Sequence, residues 1–200
     1  MRSSHVFVSS VIMMVSLLSY FFADLEIAKY FHGLKDVGID SFFRSVTVLG
    51  QAEYSLIPAL LLYVYYKKRD MKVALKAWFI FVSVATSGIL VLLLKIFFGR
   101  FRPEIYFEKG LFGFDFFHIK NSLTSFPSGH STTAMGVVVG LGILFPKFRL
   151  PLFLLGVSIM ISRVVIVRHY PSDIMIGGLL GALTSLFLYE YYFKERIENA

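Results

Sequence analysis

Two histidines and a carboxylate stand in a pattern that could move a phosphoryl group. His169 precedes Asp173 by four residues, and His130 follows Pro127-Ser128-Gly129. A carboxylate that accepts a hydrogen bond from one imidazole nitrogen leaves the other free to attack phosphorus. A second histidine can protonate the departing oxygen and then act as base for the hydrolytic water. Three cations, Lys95, Arg102 and Arg163, could hold the group being transferred. Arginine's planar fork matches phosphate oxygens, and lysine adds a point charge. Ser128-Gly129-His130 opens an apolar run, where a helix start offers free N–H groups and a positive dipole end to an anion. Gly129 lets the backbone approach the oxygens closely. All these parts suit a tetrahedral anion, most simply phosphate. A zinc site of His130, His169 and Asp173 is the lesser alternative, because three nearby cations repel a metal.

The elements that must gather these residues are apolar. Six runs can be read, at residues 6–23, 54–66, 73–98, 131–145, 150–167 and 174–193. A spanning helix needs about 20 residues. The second run reaches that length by starting near Val46, and the fourth lengthens by starting near Ser128. The runs are continuous rather than alternating and too long for barrel strands, so they predict helices. The first has a poor cleavage site at Phe21-Phe22-Ala23 and is read as a retained helix rather than a signal peptide. Lys95 and Arg102-Pro103 lie at the end of the third run, and Ser128 to His130 open the fourth. Ser162-Arg163 closes the fifth, and His169 and Asp173 open the sixth. In a six-span chain these four ends share one side, so connectivity alone lets the polar residues converge. Pro171 suits the first turn of the sixth helix.

Composition agrees with a membrane chain. The 200 residues are 56% hydrophobic and 16% charged, against about 25% charged in a soluble domain. Mean hydropathy is +0.71. A cytosolic enzyme, a disordered chain and a nucleic-acid binder are thereby disfavoured. There is no cysteine, hence no disulfide, thiolate metal site or cysteine nucleophile. The net charge of +7 reads first as basic cytoplasmic loops. Basic residues divide evenly between the two sides, Arg2 among the cytoplasmic set. Four of the six residues at 67–72 are basic, however, in a short loop. That density places both termini in the cytoplasm and the long loops 24–45 and 99–130 outside it. Residues 24–45 predict an amphipathic interfacial helix. Gly136/Gly140 and Gly177/Gly181 put small residues on one face of the fourth and sixth helices. The expected architecture is all-α: six transmembrane helices in one membrane-embedded domain over residues 1–200, with an interfacial helix after the first.

Lys95-x6-Arg102-Pro103, Pro127-Ser128-Gly129-His130 and Ser162-Arg163-x5-His169-x3-Asp173 resemble the three-part signature of the type 2 phosphatidic acid phosphatase family. Order and internal spacing match, over residues 95–173. The resemblance implies a metal-independent lipid phosphatase without cofactor that works through a phosphohistidine. It implies His169 as nucleophile, Asp173 as its partner and His130 as acid and base. It implies that Lys95, Arg102, Ser128, Gly129 and Arg163 hold the phosphoryl oxygens. The family's bacterial substrates are undecaprenyl diphosphate, lipid A phosphates, phosphatidylglycerol phosphate and phosphatidic acid. The first two lead for a compact chain of bacterial aspect, with the site facing the periplasm. Vanadium haloperoxidases share the signature, but six apolar spans argue against that soluble class. A non-catalytic lipid-binding or transport protein with a relic site is the other alternative, and the intact histidine pair argues against it. Arg100 and Arg168 flank the motifs and read either as attraction for a diphosphate or headgroup, or as solvated or lipid-paired charges. Glu104, Tyr106 and residues 112–117 read either as shaping substrate access or as interfacial. His5, His32 and His118 read as interfacial or solvated.

Overall fold

The computed structural model describes residues 3–34 and 38–200, without the side chains of residues 3, 4, 39 and 40. Arg2 and the middle of the expected interfacial segment, residues 35–37, lie outside the described residues. Ten α-helices follow in order among the described residues: α1 (Ser3–Phe22), α2 (Asp24–Gly33), α3 (Ile39–Val48), α4 (Glu53–Tyr66), α5 (Met71–Phe98), α6 (Pro103–Lys109), α7 (Gly129–Leu144), α8 (Arg149–Val165), α9 (Pro171–Leu188) and α10 (Lys194–Glu198). They contain no strand, only an isolated antiparallel bridge between Arg100 and Phe114.

Among the described residues five stretches are long and apolar enough to cross a membrane: His5–Phe22, Ser41–Tyr66, Met71–Phe98, Pro146–Val165 and Pro171–Glu198. Their large side chains face outward, with Phe7 70%, Leu61 64%, Ile89 63% and Leu150 68% exposed. The interior is instead rich in small polar residues, among them Ser83, Ser87, Ser131, Thr132, Ser162 and Ser185. That inversion of the soluble pattern is what lipid allows, because helix contact there depends on small side chains and internal hydrogen bonds. The molecule is an integral membrane protein.

The sixth apolar helix, α7, has only 16 residues, about 24 Å of helix against a hydrocarbon core of about 30 Å. It is the central helix, packed on α5, α8 and α9, so its ends are clothed by protein. Small residues make that packing possible. A Cβ on Gly181 would lie 2.0 Å from the Thr132 carbonyl oxygen, and one on Gly177 would lie 2.4 Å from that of Ser128. The Gly177/Gly181 face therefore brings α9 into backbone contact with the first turns of α7. The Gly136 carbonyl accepts from the Ser185 hydroxyl at 2.7 Å.

The segment after α1 differs from a single interfacial helix. α2 turns in directly after α1, with Asp24 and Ala28 buried. Residues 39–45 instead belong to α3, which continues into the second span and packs on α8, while α4 packs on α5. That span begins earlier than Val46 and is broken by a turn between Val48 and Glu53. The outer loop carries α6, which has Pro103 at its first turn and is fastened by a Glu104–Arg168 ion pair and by Phe107 stacked on His32 at 3.8 Å.

Candidate active site

The four helix ends do meet. The Ser128 N–H at the start of α7 donates to the Asp173 carbonyl in the first turn of α9, at 3.0 Å. The loop between them is tied to the end of α5, with Ser125 N–H donating to Arg100 O at 2.9 Å and Arg102 N–H to Ser122 O at 3.1 Å. Backbone bonds thus fix the frame, and side chains project into it.

His169 lies in the turn that α8 makes into α9 and is 3% exposed. Its Nδ1 is 3.5 Å from Asp173 Oδ2 and 3.4 Å from Ser125 Oγ. These contacts are long, as catalytic hydrogen bonds often are without substrate. Burial holds the His169 imidazole well below its ordinary value, with Asp173 pulling the other way. Asp173 Oδ2 accepts from Ser125 Oγ at 2.6 Å and from Tyr170 N–H at 2.9 Å. The second of these belongs to the capping box that starts α9, so helix capping and the aim of the carboxylate are one feature. His130, in the first turn of α7, is only partly buried and stands against Gly50, where a Cβ would lie 3.2 Å from its own.

The three cations are held by neutral oxygens. Lys95 Nζ donates to Thr124 O at 2.6 Å. Arg102 donates through Nε to Asn121 O at 2.7 Å and through Nη2 to Asn121 Oδ1 at 2.9 Å. Arg163 donates through Nη1 to Thr47 Oγ1 at 2.8 Å, and its buried Nε has no partner among the described residues. Lys95 and Arg163 act electrostatically on each other and on His130, as Arg102 does on all three. Burial pushes the Arg102 guanidinium below its usual value, and neighbouring Arg168 adds to that. Among the described residues none of the three forms an ion pair with a carboxylate.

Ser128 is the N-cap of α7. Its hydroxyl oxygen accepts from Ser131 Oγ at 3.0 Å, which leaves its own hydrogen to donate elsewhere. Gly129 lies over Lys95, where a Cβ would be 3.8 Å from Lys95 Cε. The first-turn N–H groups of Gly129 and His130 have no intrahelical acceptor. Hydrogen bonds, close approach and mutual electrostatic influence thus draw the eight residues singled out by type and spacing into one polar site at these helix ends. Among the described residues, no three His, Asp or Glu side chains are placed to hold a metal ion.

Arg100 departs from both sequence readings. It is 0% exposed and ion-paired with Asp24 at 2.7 Å and Asp173 at 2.5 Å, so it faces neither substrate nor solvent. Arg168 is ion-paired with Glu104. Sequence reasoning passes over Ser125, Asn121 and Thr47, which touch site residues, and Asp24, which reaches Asp173 through Arg100. Only Asp24 carries a signal, as a lone carboxylate that directly ends an apolar run.

The PAP2 superfamily model matches residues 76–197. Two proteins called lipid A 1-phosphatase, from Rhizobium johnstonii and Rhizobium etli, are 38% and 37% identical over 108 residues, 54% of this chain. Those residues make up 44% and 47% of the two proteins, so the chain spans about half the length of the curated relatives it matches. Aquifex aeolicus LpxE superposes with a TM-score of 0.66 at 25% identity, over 86% of this chain and 98% of that one. The PAP2-type phosphatidylglycerolphosphate phosphatase of Bacillus subtilis gives 0.68 at 20% identity, over 98% of each chain, a likeness of fold. The motifs lie inside the matched region, and the chain belongs to the PAP2 superfamily.

Proposed function

We propose that this protein is a membrane lipid phosphatase that hydrolyses a lipid phosphomonoester or diphosphate through a phosphohistidine and releases inorganic phosphate. The observation that carries the reading is the triad of Lys95, Arg102 and Arg163, held by neutral oxygens beside a buried His169–Asp173 pair. Cations without carboxylate partners keep their charge for a ligand, and a phosphoryl group in a water-poor cleft is the anion that three of them fit.

The steps follow from these positions. Asp173 accepts a hydrogen bond from the Nδ1–H of His169, and Nε2 attacks phosphorus. The P–O bond to the lipid breaks as the P–N bond forms, and His130 gives its proton to the departing oxygen. His130 then takes a proton from water, whose oxygen attacks phosphorus, breaks the P–N bond and frees phosphate. Lys95, Arg102, Arg163, Ser128 and the Gly129 N–H bind the equatorial oxygens, where charge builds up. The lipid tail stays in the bilayer. The whole chain acts as one unit, with the site on the outer face and both termini in the cytoplasm. Among substrates, a lipid A phosphate leads, supported by the two relatives called lipid A 1-phosphatase and by the likeness to LpxE.

The test is phosphate release by purified protein in detergent from lipid A, undecaprenyl diphosphate, phosphatidylglycerol phosphate and phosphatidic acid. Wild type should release phosphate from at least one, with activity intact in excess chelator, and His169→Ala should release none. Wild-type protein inert on all four would overturn the reading, and loss of activity in chelator would overturn its metal-free step.

A further inference from the structure

Below His169 lies a buried polar cluster that shares Asp173 with the site and whose other members the reaction does not touch. Arg100, Asp24, Ser172 and Asp173 are almost wholly removed from solvent, none more than 2% exposed. Arg100 Nη2 donates to Asp24 Oδ2 at 2.7 Å, while Nη1 donates to Asp173 Oδ1 at 2.5 Å and to Ser172 Oγ at 2.7 Å. Asp24 is tied down in turn. Its Oδ1 accepts from Ser19 Oγ at 2.8 Å and from Ser172 N–H at 3.0 Å, and its Oδ2 accepts from the Ser172 hydroxyl. Four aromatic rings, Tyr170, Tyr20, Phe114 and Phe112, surround the guanidinium carbon at 4.5 to 5.5 Å.

Two carboxylates share one guanidinium here, so the cluster buries a net negative charge. Such an arrangement is a poor way to stabilise a fold, since buried charges cost more than apolar side chains of the same size. Its geometry has a consequence for His169. A guanidinium facing one carboxylate tends to bind both oxygens through a two-pronged fork. Asp24 holds Nη2, Nη1 is shared by Asp173 Oδ1 and Ser172 Oγ, and the buried Nε has no partner among the described residues, so Arg100 holds Asp173 through Oδ1 alone. Oδ2 is left to Ser125, the Tyr170 N–H and His169 Nδ1.

We propose that Asp24 is a positioning residue of the site: by anchoring Arg100 through Nη2 it sets Nη1 on Asp173 Oδ1 alone and so leaves the other carboxylate oxygen toward His169 Nδ1. The link is long in sequence, from the start of α2 through the end of α5 to the first turn of α9. The proposal rests on the reading of His169 and Asp173 as nucleophile and partner.

Asp24→Asn tests it, because the amide keeps the shape and one acceptor but loses the charge that anchors Arg100. The first readout needs no turnover: NMR of isotope-labelled imidazole nitrogens reports which nitrogen of His169 carries the proton. In wild type it should be Nδ1, and in Asp24→Asn the population should move toward Nε2. An unchanged tautomer would overturn the proposal. The second readout is phosphate release from lipid A and the other three lipid phosphates. Asp24→Asn should lower kcat by about tenfold to a hundredfold, the usual effect of a residue that orients a reacting group, with KM changed far less. Added to Asp173→Asn, the same substitution should lower kcat little further, because its route of action is already gone. Equal losses in both backgrounds would mean a merely structural role. If wild type releases no phosphate, the phosphatase reading fails while the tautomer still decides the positioning role. Should Asp24→Asn fail to fold, Ser172→Ala removes the hydroxyl bonded to both Asp24 and Arg100 and carries the same two readouts.

Discussion

Lys95, Arg102 and Arg163 bear on one cleft while their hydrogen bonds go to Thr124, Asn121 and Thr47, so their charge is oriented but not cancelled. His169 stands in that field with its imidazole buried, and burial is the largest influence on its protonation. In its proposed role as nucleophile it is therefore neutral, and so competent to attack, below the pH at which an exposed histidine takes its proton. The acidic limb of kcat/KM, which reports the free enzyme, should lie below 6.5, the ordinary histidine value. A limb at or above that value would remove His169 as the group that must be unprotonated. The same burial sets a sign for stability. Below pH 6.5 the unfolded chain protonates this histidine and the folded chain does not, so the unfolded state binds more protons. Its contribution to stability is complete above 6.5 and is lost as pH falls toward the depressed folded value, which thermal melting in detergent across pH 5 to 7.5 should register as a falling Tm on the acid side.

Helices α7 and α9 meet at their N-terminal turns, and the site depends on that meeting. His130 opens one helix and Asp173 the other, and Gly181 lets the backbones touch, with a Cβ there 2.0 Å from Thr132 O and 2.8 Å from Gly136 N. Neither neighbour is a side chain that could swing aside. Gly181→Ala should therefore push α9 off α7 at a cost of about 1–3 kcal/mol, lowering Tm by several degrees and activity with it. A variant with wild-type Tm and turnover would show that the close approach is dispensable. The spans are legible in the sequence because continuous apolar runs of this length have few other fates. The convergence of Lys95, Arg102, His130, Arg163, His169 and Asp173 is legible because span parity puts four helix ends on one side. The Asp24–Arg100 pairing is not legible. It joins residues 76 apart in sequence, and an arginine among phosphate-binding residues reads by type as one more cation for substrate. Nor does hydropathy reveal the break in the second span. Gln51 and Glu53 mark a polar patch there, but a turn between α3 and α4 and a kinked single helix give the same pattern. Ser125 is hidden for a different reason, since a serine in a loop acquires meaning only once Asp173 is seen beside it.

Across the whole molecule the charges fall into separate populations, and only one of them serves the cleft. Lys67, Lys68, Arg69 and Lys72 crowd the short connection between α4 and α5. Lys95, Arg102 and Arg163 sit at the far ends of the helices, beside the loop that carries α6. Since α5 crosses the membrane between residues 71 and 98, the two groups must lie on opposite sides of it. The density of positive charge in the short loop favours its retention in the cytoplasm, and on that ground we propose that it lies there. That assignment would present the cleft to the outer leaflet and restrict its substrates to lipids reaching that leaflet. The absence of native cysteine makes the orientation directly measurable, since any thiol introduced is the only one. Lys68→Cys and Lys120→Cys place one exposed thiol on each side, and neither residue touches the cleft. In intact cells with a permeabilised outer envelope, a membrane-impermeant maleimide should label the Lys120→Cys protein and leave the Lys68→Cys protein unlabelled until the cells are lysed. The opposite pattern would invert the orientation, turn the cleft to the cytoplasm and exclude every lipid phosphate confined to the outer leaflet.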